Sequence, residues 1–108
     1  MTNKFSDKTR LLNLYHPFCR VCHCNEMCSL HHINSTISAS PLNSIFLCGK
    51  CHAEADKFNR VTGIKGTRHR KTLLKTQLTF LVTQGYEYTP EDIYFLGLIG
   101  EDLGSIMK

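Results

Sequence analysis

A chain of 108 residues with 42% hydrophobic and 20% charged residues reads as one domain of ordinary globular composition, not as a disordered or fibrous chain. No apolar run approaches the roughly 18–20 residues that span a bilayer, and the polar start Met-Thr-Asn-Lys-Phe-Ser-Asp-Lys has no signal-peptide core, so an intracellular, cytoplasmic protein is expected. The formal charge is a mild +4, but seven of the thirteen Lys and Arg fall between Lys57 and Lys75, and no acid occurs from Lys57 to Tyr86.

In chain order, Leu11, Leu12, Leu14 and Tyr15 follow the potential N-cap Ser6 and suggest a short helix that Pro17 ends. Residues 19–31 are rich in Cys and His and read as irregular, shaped by metal more than by core packing. Ser29 to Ile33 reads as a strand, the Ser-rich stretch Asn34–Asn43 with Pro41 as a loop, and Ser44–Leu47 as a second strand. A helix follows from Gly49 to about Arg60. Gly63 and Gly66 predict a flexible connection over Val61–Thr67.

From Arg68 to Thr83, Leu74, Leu78, Leu81 and Val82 keep helical spacing, with Arg68, Lys71 and Lys75 on another face and Gly85 as C-cap. Thr89-Pro90-Glu91-Asp92 is a strong helix start. Leu96, Ile99, Leu103 and Ile106 predict that this helix continues, weakened by Gly97, Gly100 and Gly104. The predicted class is α+β, a single domain over 1–108, with a core at 19–60 and a helical extension at 68–108.

Six cysteines in a reducing compartment point to metal rather than to disulfides. Cys19-Arg-Val-Cys22 and Cys48-Gly-Lys-Cys51 are matched pairs. Each can turn two thiolates toward one tetrahedral Zn²⁺, and Gly49 suits the tight turn. Cys24 and Cys28 offer rival ligands, as bystanders or as a second site. Four thiolates leave no open coordination position, so this zinc is structural rather than catalytic.

Between the pairs stand Leu30-His31-His32-Ile33 and Asn43, and His52 follows Cys51 directly. This order resembles the zinc-containing branch of the HNH, or ββα-metal, endonuclease family, many of whose members are encoded by phages and mobile elements. The motif covers residues 19 to about 58. The resemblance implies phosphodiester hydrolysis in DNA. It gives His32 the role of general base, His31 and His52 that of ligands to one divalent cation such as Mg²⁺ or Mn²⁺, and Asn43 that of a tether for the loop carrying the base. Asp56, four residues after His52 on one helix face, can complete that shell; the plainer alternative is a solvated Asp paired with Lys57 or Arg60. The family often has Pro where this chain has Ser35, and the loop from His32 to Asn43 is short. Adjacent strand residues point to opposite faces, so His31 can face the ion while His32 contacts the water only if a bend or bulge helps.

The basic segment suits a phosphate backbone, with Arg68, Arg70, Lys71 and Lys75 as DNA contacts; a solvated helix face is the alternative. His69 is assigned to phosphate or solvent rather than to metal. The acidic tail suggests that the last helix faces away from DNA, toward a protein partner. The competing function is a non-catalytic zinc module that binds nucleic acid, which has no need of His31, His32 and His52 together. A protein-interaction adaptor built on the C-terminal helices is a third reading.

Overall fold

The computed structural model describes residues 7–34, 40–59, 63–101 and 104. Among these, the elements run α1 (Asp7–Tyr15), β1 (Ser29–His32), a 3-10 turn (Pro41–Asn43), β2 (Ser44–Leu47), α2 (Gly49–Asn59), α3 (Ile64–Thr83) and α4 (Pro90–Leu98). The result is an α+β fold with one two-stranded sheet. Ser6, Ser35, Arg60, Leu103 and Ile106, on which parts of the sequence reading rest, lie outside the described residues.

β1 and β2 pair antiparallel, with Ser29 opposite Leu47, His31 opposite Ile45 and His32 opposite Ser44. Alternation puts Ser29 and His31 on one face with Leu47 and Ile45. That face is covered at Ile45 and Leu47, which are fully buried, and at His31, which is 4% exposed, while Ser29 at its start is exposed. α2 and α3 pack over the hairpin. α3 contributes Leu73, Leu74, Leu78 and Leu81 to a core shared with Ile33, Leu42, Ala55, Phe95 and Leu96.

Val82, assigned above to the apolar stripe, is instead 50% exposed, and its place is taken by Leu73 and the buried Gln77. α3 also begins four residues earlier than expected. Gly63, at φ 85°, is the non-helical residue before it. Gly66 is buried within the first turns. One helical Gly costs about 1 kcal/mol, which burial of the rest of α3 exceeds.

Both later helices end in the same backbone motif. Gly85 and Gly100 adopt φ of 71° and 70°. Tyr86 N–H returns to Leu81 C=O, and Glu101 N–H to Leu96 C=O. These are Schellman closures, which favour Gly because the residue must be left-handed. Gly85 therefore caps α3 as read. Gly100 stops α4 instead of merely weakening it, so the continuous helix expected through Leu103 and Ile106 is broken there.

α1 buries only part of its apolar run. Leu12 packs on the core, whereas Leu11, Leu14 and Tyr15 are exposed. The segment is held instead by Arg20, which donates to Asn13 Oδ1 and to the carbonyls of His16 and Phe18. The guanidinium lies 3.8 Å from the centroid of Phe80 on α3. Burial pulls Arg20 down to about 10, which leaves it charged.

The turn before β2 is fixed by the C-terminal half of the chain. Gln77 Nε2 donates to Pro41 C=O at 3.1 Å. At the helix start read above, Asp92 forms a capping box with Thr89. It is also fully buried, accepting from Ser40 Oγ, from Tyr86 Oη at 2.6 Å and from Thr89 N–H at 2.8 Å. Asp92→Ala removes a shared acceptor from three donors. Unsatisfied buried polar groups cost about 1–3 kcal/mol each, so a stability loss of about 3 kcal/mol is expected in urea unfolding. Glu91→Ala, at an exposed position beside it, is expected to have little effect.

Candidate metal centres

Two groups of side chains in the described residues converge as metal ligands do. The first is Cys19, Cys22, Cys48 and Cys51, whose sulfurs lie within 4.8 Å of one another. Cys19 and Cys22 sit on the turn between α1 and β1, where Cys22 N–H points to Cys19 Sγ at 3.5 Å. Arg20 N–H donates to Phe46 C=O and docks this turn on β2. Cys48 directly follows β2, and Cys51 falls in the first turn of α2. The Cys22 and Cys48 sulfurs are 3.5 Å apart, close to the roughly 3.8 Å edge of a Zn–thiolate tetrahedron with bonds of about 2.3 Å.

The thiols cannot all ionise without a cation. A backbone N–H from Cys51 brings Cys48 down to about 6, despite its burial. Cys19 is raised by burial, but backbone N–H groups of Cys22, Cys48 and Val21 outweigh this and lower it. Burial and the neighbouring sulfurs push Cys51 up. Cys22 reaches about 11, where the sulfurs of Cys24, Cys48 and Cys19 override a backbone bond at Cys24. A divalent cation removes this conflict by stabilising all four thiolates. The donor set therefore fits a metal such as zinc.

The second group is His31 from β1 with His52 and Asp56 from α2. His52 and Asp56 are one helical turn apart and share a face. His31 Nδ1 lies 3.3 Å from Asp56 Oδ1, and His52 Nε2 lies 3.7 Å from the same oxygen. The rings of His31 and His52 meet edge-on at 5.0 Å. Asp56 is 57% exposed, so the group opens to solvent on one side.

Ser29 Oγ is 2.7 Å from His52 Nδ1 and turns Nε2 toward the group. Such bonds to the far nitrogen orient metal-binding imidazoles. Sequence reading missed Ser29, although strand alternation places it on the same face as His31. Burial, followed by the charge of His52, lowers His31 to about 4 against the pull of Asp56, so its ring is neutral near pH 7. Its Nε2 is buried without a protein partner, leaving Nδ1 as the nitrogen presented to the group. Two imidazoles and a carboxylate fit a divalent cation. Asp56→Asn is expected to weaken Mn²⁺ binding by on the order of 10- to 100-fold while leaving the zinc content intact, as calorimetry and metal analysis would read.

His32, half-buried at the end of β1, is outside this ligand group; alternation turns it to the opposite face from His31. Asn43 is fully buried. Its Oδ1 accepts from Asn34 N–H and its C=O from Ile33 N–H, each at 2.8 Å. Asn43 thus holds the two residues that directly follow His32 and acts on position rather than on reacting atoms.

The basic residues divide. Arg68, Lys71 and Lys75 are exposed along α3. Arg70, grouped with them above, points elsewhere: its Nη1 donates to Phe58 C=O in the last turn of α2. A cation is favourable at a helix C-terminus, and this explains the departure. His69, assigned to phosphate or solvent, stacks on Phe58 at 4.4 Å, with Nε2 buried. Of the acidic tail, Glu101 pairs with Lys71 at 3.7 Å and Asp92 is internal, while Glu87 and Glu91 are exposed.

Among the described residues no helix is long and apolar enough to cross a membrane. Comparison with family models, curated proteins and solved structures finds no match to this chain.

Proposed function

We propose that this chain is a metal-dependent DNA endonuclease of the HNH type, braced by a four-cysteine zinc knuckle. The observation that carries this reading is the convergence of His31 from a strand with His52 and Asp56 from the helix after the hairpin. A binding module has no use for this open, oxygen- and nitrogen-rich ligand set beside a closed thiolate site.

A divalent cation held there, Mg²⁺ or Mn²⁺, would supply Lewis-acid stabilisation of the phosphate and leaving oxygen. The chain's own residues do the rest. Ser29 fixes the His52 ring. Burial keeps His31 neutral. Asp56 contributes the negative charge and leaves the site open to a phosphate. β1 keeps regular pairing to its end, so His32 takes the proton from the attacking water only when the strand end turns its ring toward the ion; Asn43 fixes the backbone beyond it. Arg68, Lys71 and Lys75 neutralise phosphates and add affinity without sequence readout. The exposed ion pair with Glu101 is worth at most about 1 kcal/mol, too little to withhold Lys71 from DNA.

The test is incubation of the purified chain with supercoiled plasmid in Mg²⁺, in Mn²⁺ and in EDTA. Conversion to nicked or linear form only with added divalent cation is the expected result. Salt-sensitive DNA binding without cleavage of duplex, branched or single-stranded substrates would overturn the endonuclease reading in favour of a zinc-braced binding module.

A further inference from the structure

Cys24 is a fifth thiol beside a site that needs four. Its sulfur lies 3.4 Å from that of Cys22, as close as Cys22 lies to Cys48 at 3.5 Å. The backbone accounts for this contact. His23, between the two, adopts φ of 66°, a left-handed conformation that is uncommon outside Gly. It folds Cys22-His23-Cys24 back on itself. The carbonyl of Cys24 is held by Cys19 N–H at 2.7 Å and by the Cys28 thiol at 3.5 Å.

A metal on Cys19, Cys22, Cys48 and Cys51 has a complete tetrahedron. Cys24 is then an uncommitted thiol touching a ligand. Access is open: Cys22 is exposed, Cys24 is half-buried, and both line a cavity of about 430 Å³ with Met27, Cys48 and Cys51.

We propose that Cys24 is an oxidative modification site through which small hydroperoxides release the knuckle metal. The Cys24 thiolate attacks a peroxide oxygen; an S–O bond forms, the O–O bond breaks, and the departing oxygen leaves as an alcohol or water. The Cys22 thiolate then attacks the sulfenic sulfur of Cys24; the S–S bond forms, and hydroxide leaves and is protonated to water. The two sulfurs lose two electrons in total, and the peroxide gains them. Cys22 now shares its electron pair with sulfur, and the metal is left with three thiolates. A dithiol reductant reverses the change. This inference rests on the four-cysteine site and not on the nuclease reading.

The experiment uses the zinc-loaded full chain, hydrogen peroxide and a chromogenic zinc chelator, comparing wild type with Cys24→Ser. Wild type is expected to release zinc as peroxide is added. The peptide carrying Cys22 and Cys24 should lose two hydrogens, and dithiothreitol should restore both. Cys24→Ser should begin with the same zinc content and melting temperature and release zinc on the order of 10-fold more slowly. Oxidation of the exposed Met27 adds an oxygen in both proteins, so mass separates it from the disulfide. Equal release rates, or a disulfide joining Cys22 to Cys48 in its place, would overturn the proposal. Wild type that holds no zinc would overturn the knuckle together with it.

Discussion

Cys48→Ser, or stripping the knuckle with a strong chelator, is expected to cost the chain most of its stability. Cys48 lies between β2 and α2 and is buried, as is Cys19 on the turn that Arg20 docks against Phe46. A metal held there would join the segment before the hairpin to the helix after it, across a stretch whose described residues form two short strands and a 3-10 turn. Structural zinc in small domains is worth about 10–16 kcal/mol at pH 7, and the net stability of a domain is about 5–15 kcal/mol. α3 and α4 contribute Leu74, Leu78, Leu81 and Phe95 to the core they share with the hairpin, so part of that packing is expected to survive. Loss of even half the metal's contribution would lower the melting temperature by about 20 °C or more. Thermal melts by circular dichroism, with and without chelator, measure this. A metal-free chain that melts where the loaded chain does would show that the four thiols are merely neighbours.

Local pattern carried much of this fold. The bounds of β2 and the start of α2 follow from an apolar run ending at a Cys-x-x-Cys turn. The end of α3 follows from Gly85 and the start of α4 from Thr89-Pro90. The two ligand groups were legible for a similar reason. Their members come in short-range pairs, Cys at two-residue spacing and His52 with Asp56 one turn apart, so only the meeting of pairs had to be inferred.

What escaped was long-range polar pairing. Nothing near Asp92 shows that its carboxylate, while capping the helix start, also receives Ser40, 52 residues earlier. Nothing near Gln77 shows that it reaches Pro41. A polar side chain at a core position interrupts the apolar stripe until its partner is known, so the stripe admits the exposed Val82 and passes over the buried Gln77. Arg70 was grouped with Arg68 and Lys71 by charge alone, but charge does not say which face of a helix a residue occupies. The helical spacing did: one residue before Lys71, Arg70 faces about 100° away, toward the end of α2. Nor is the C-terminal half an appendage, because Gln77 and Asp92 hold the turn from which Asn43 controls the residues after His32.

His32→Ala should separate the base from the metal site. Its ring lies outside the His31, His52 and Asp56 group, so the variant should bind Mn²⁺ with wild-type affinity. Metal-dependent plasmid cleavage should nonetheless fall by about 10²- to 10⁴-fold, the usual worth of a positioned general base. His52→Ala should behave differently, losing Mn²⁺ affinity first and regaining part of its rate at high metal concentration. Neither change touches a thiol, so both variants should keep their zinc and their melting temperature within a few degrees. Added imidazole gives a further distinction: it can enter the space vacated by His32 and supply a proton acceptor, but cannot restore a ligand fixed by Ser29. Partial rescue of His32→Ala alone is the expected outcome. Cleavage by His32→Ala at the wild-type rate would remove His32 as base, and loss of Mn²⁺ affinity in that variant would make it a fourth ligand instead.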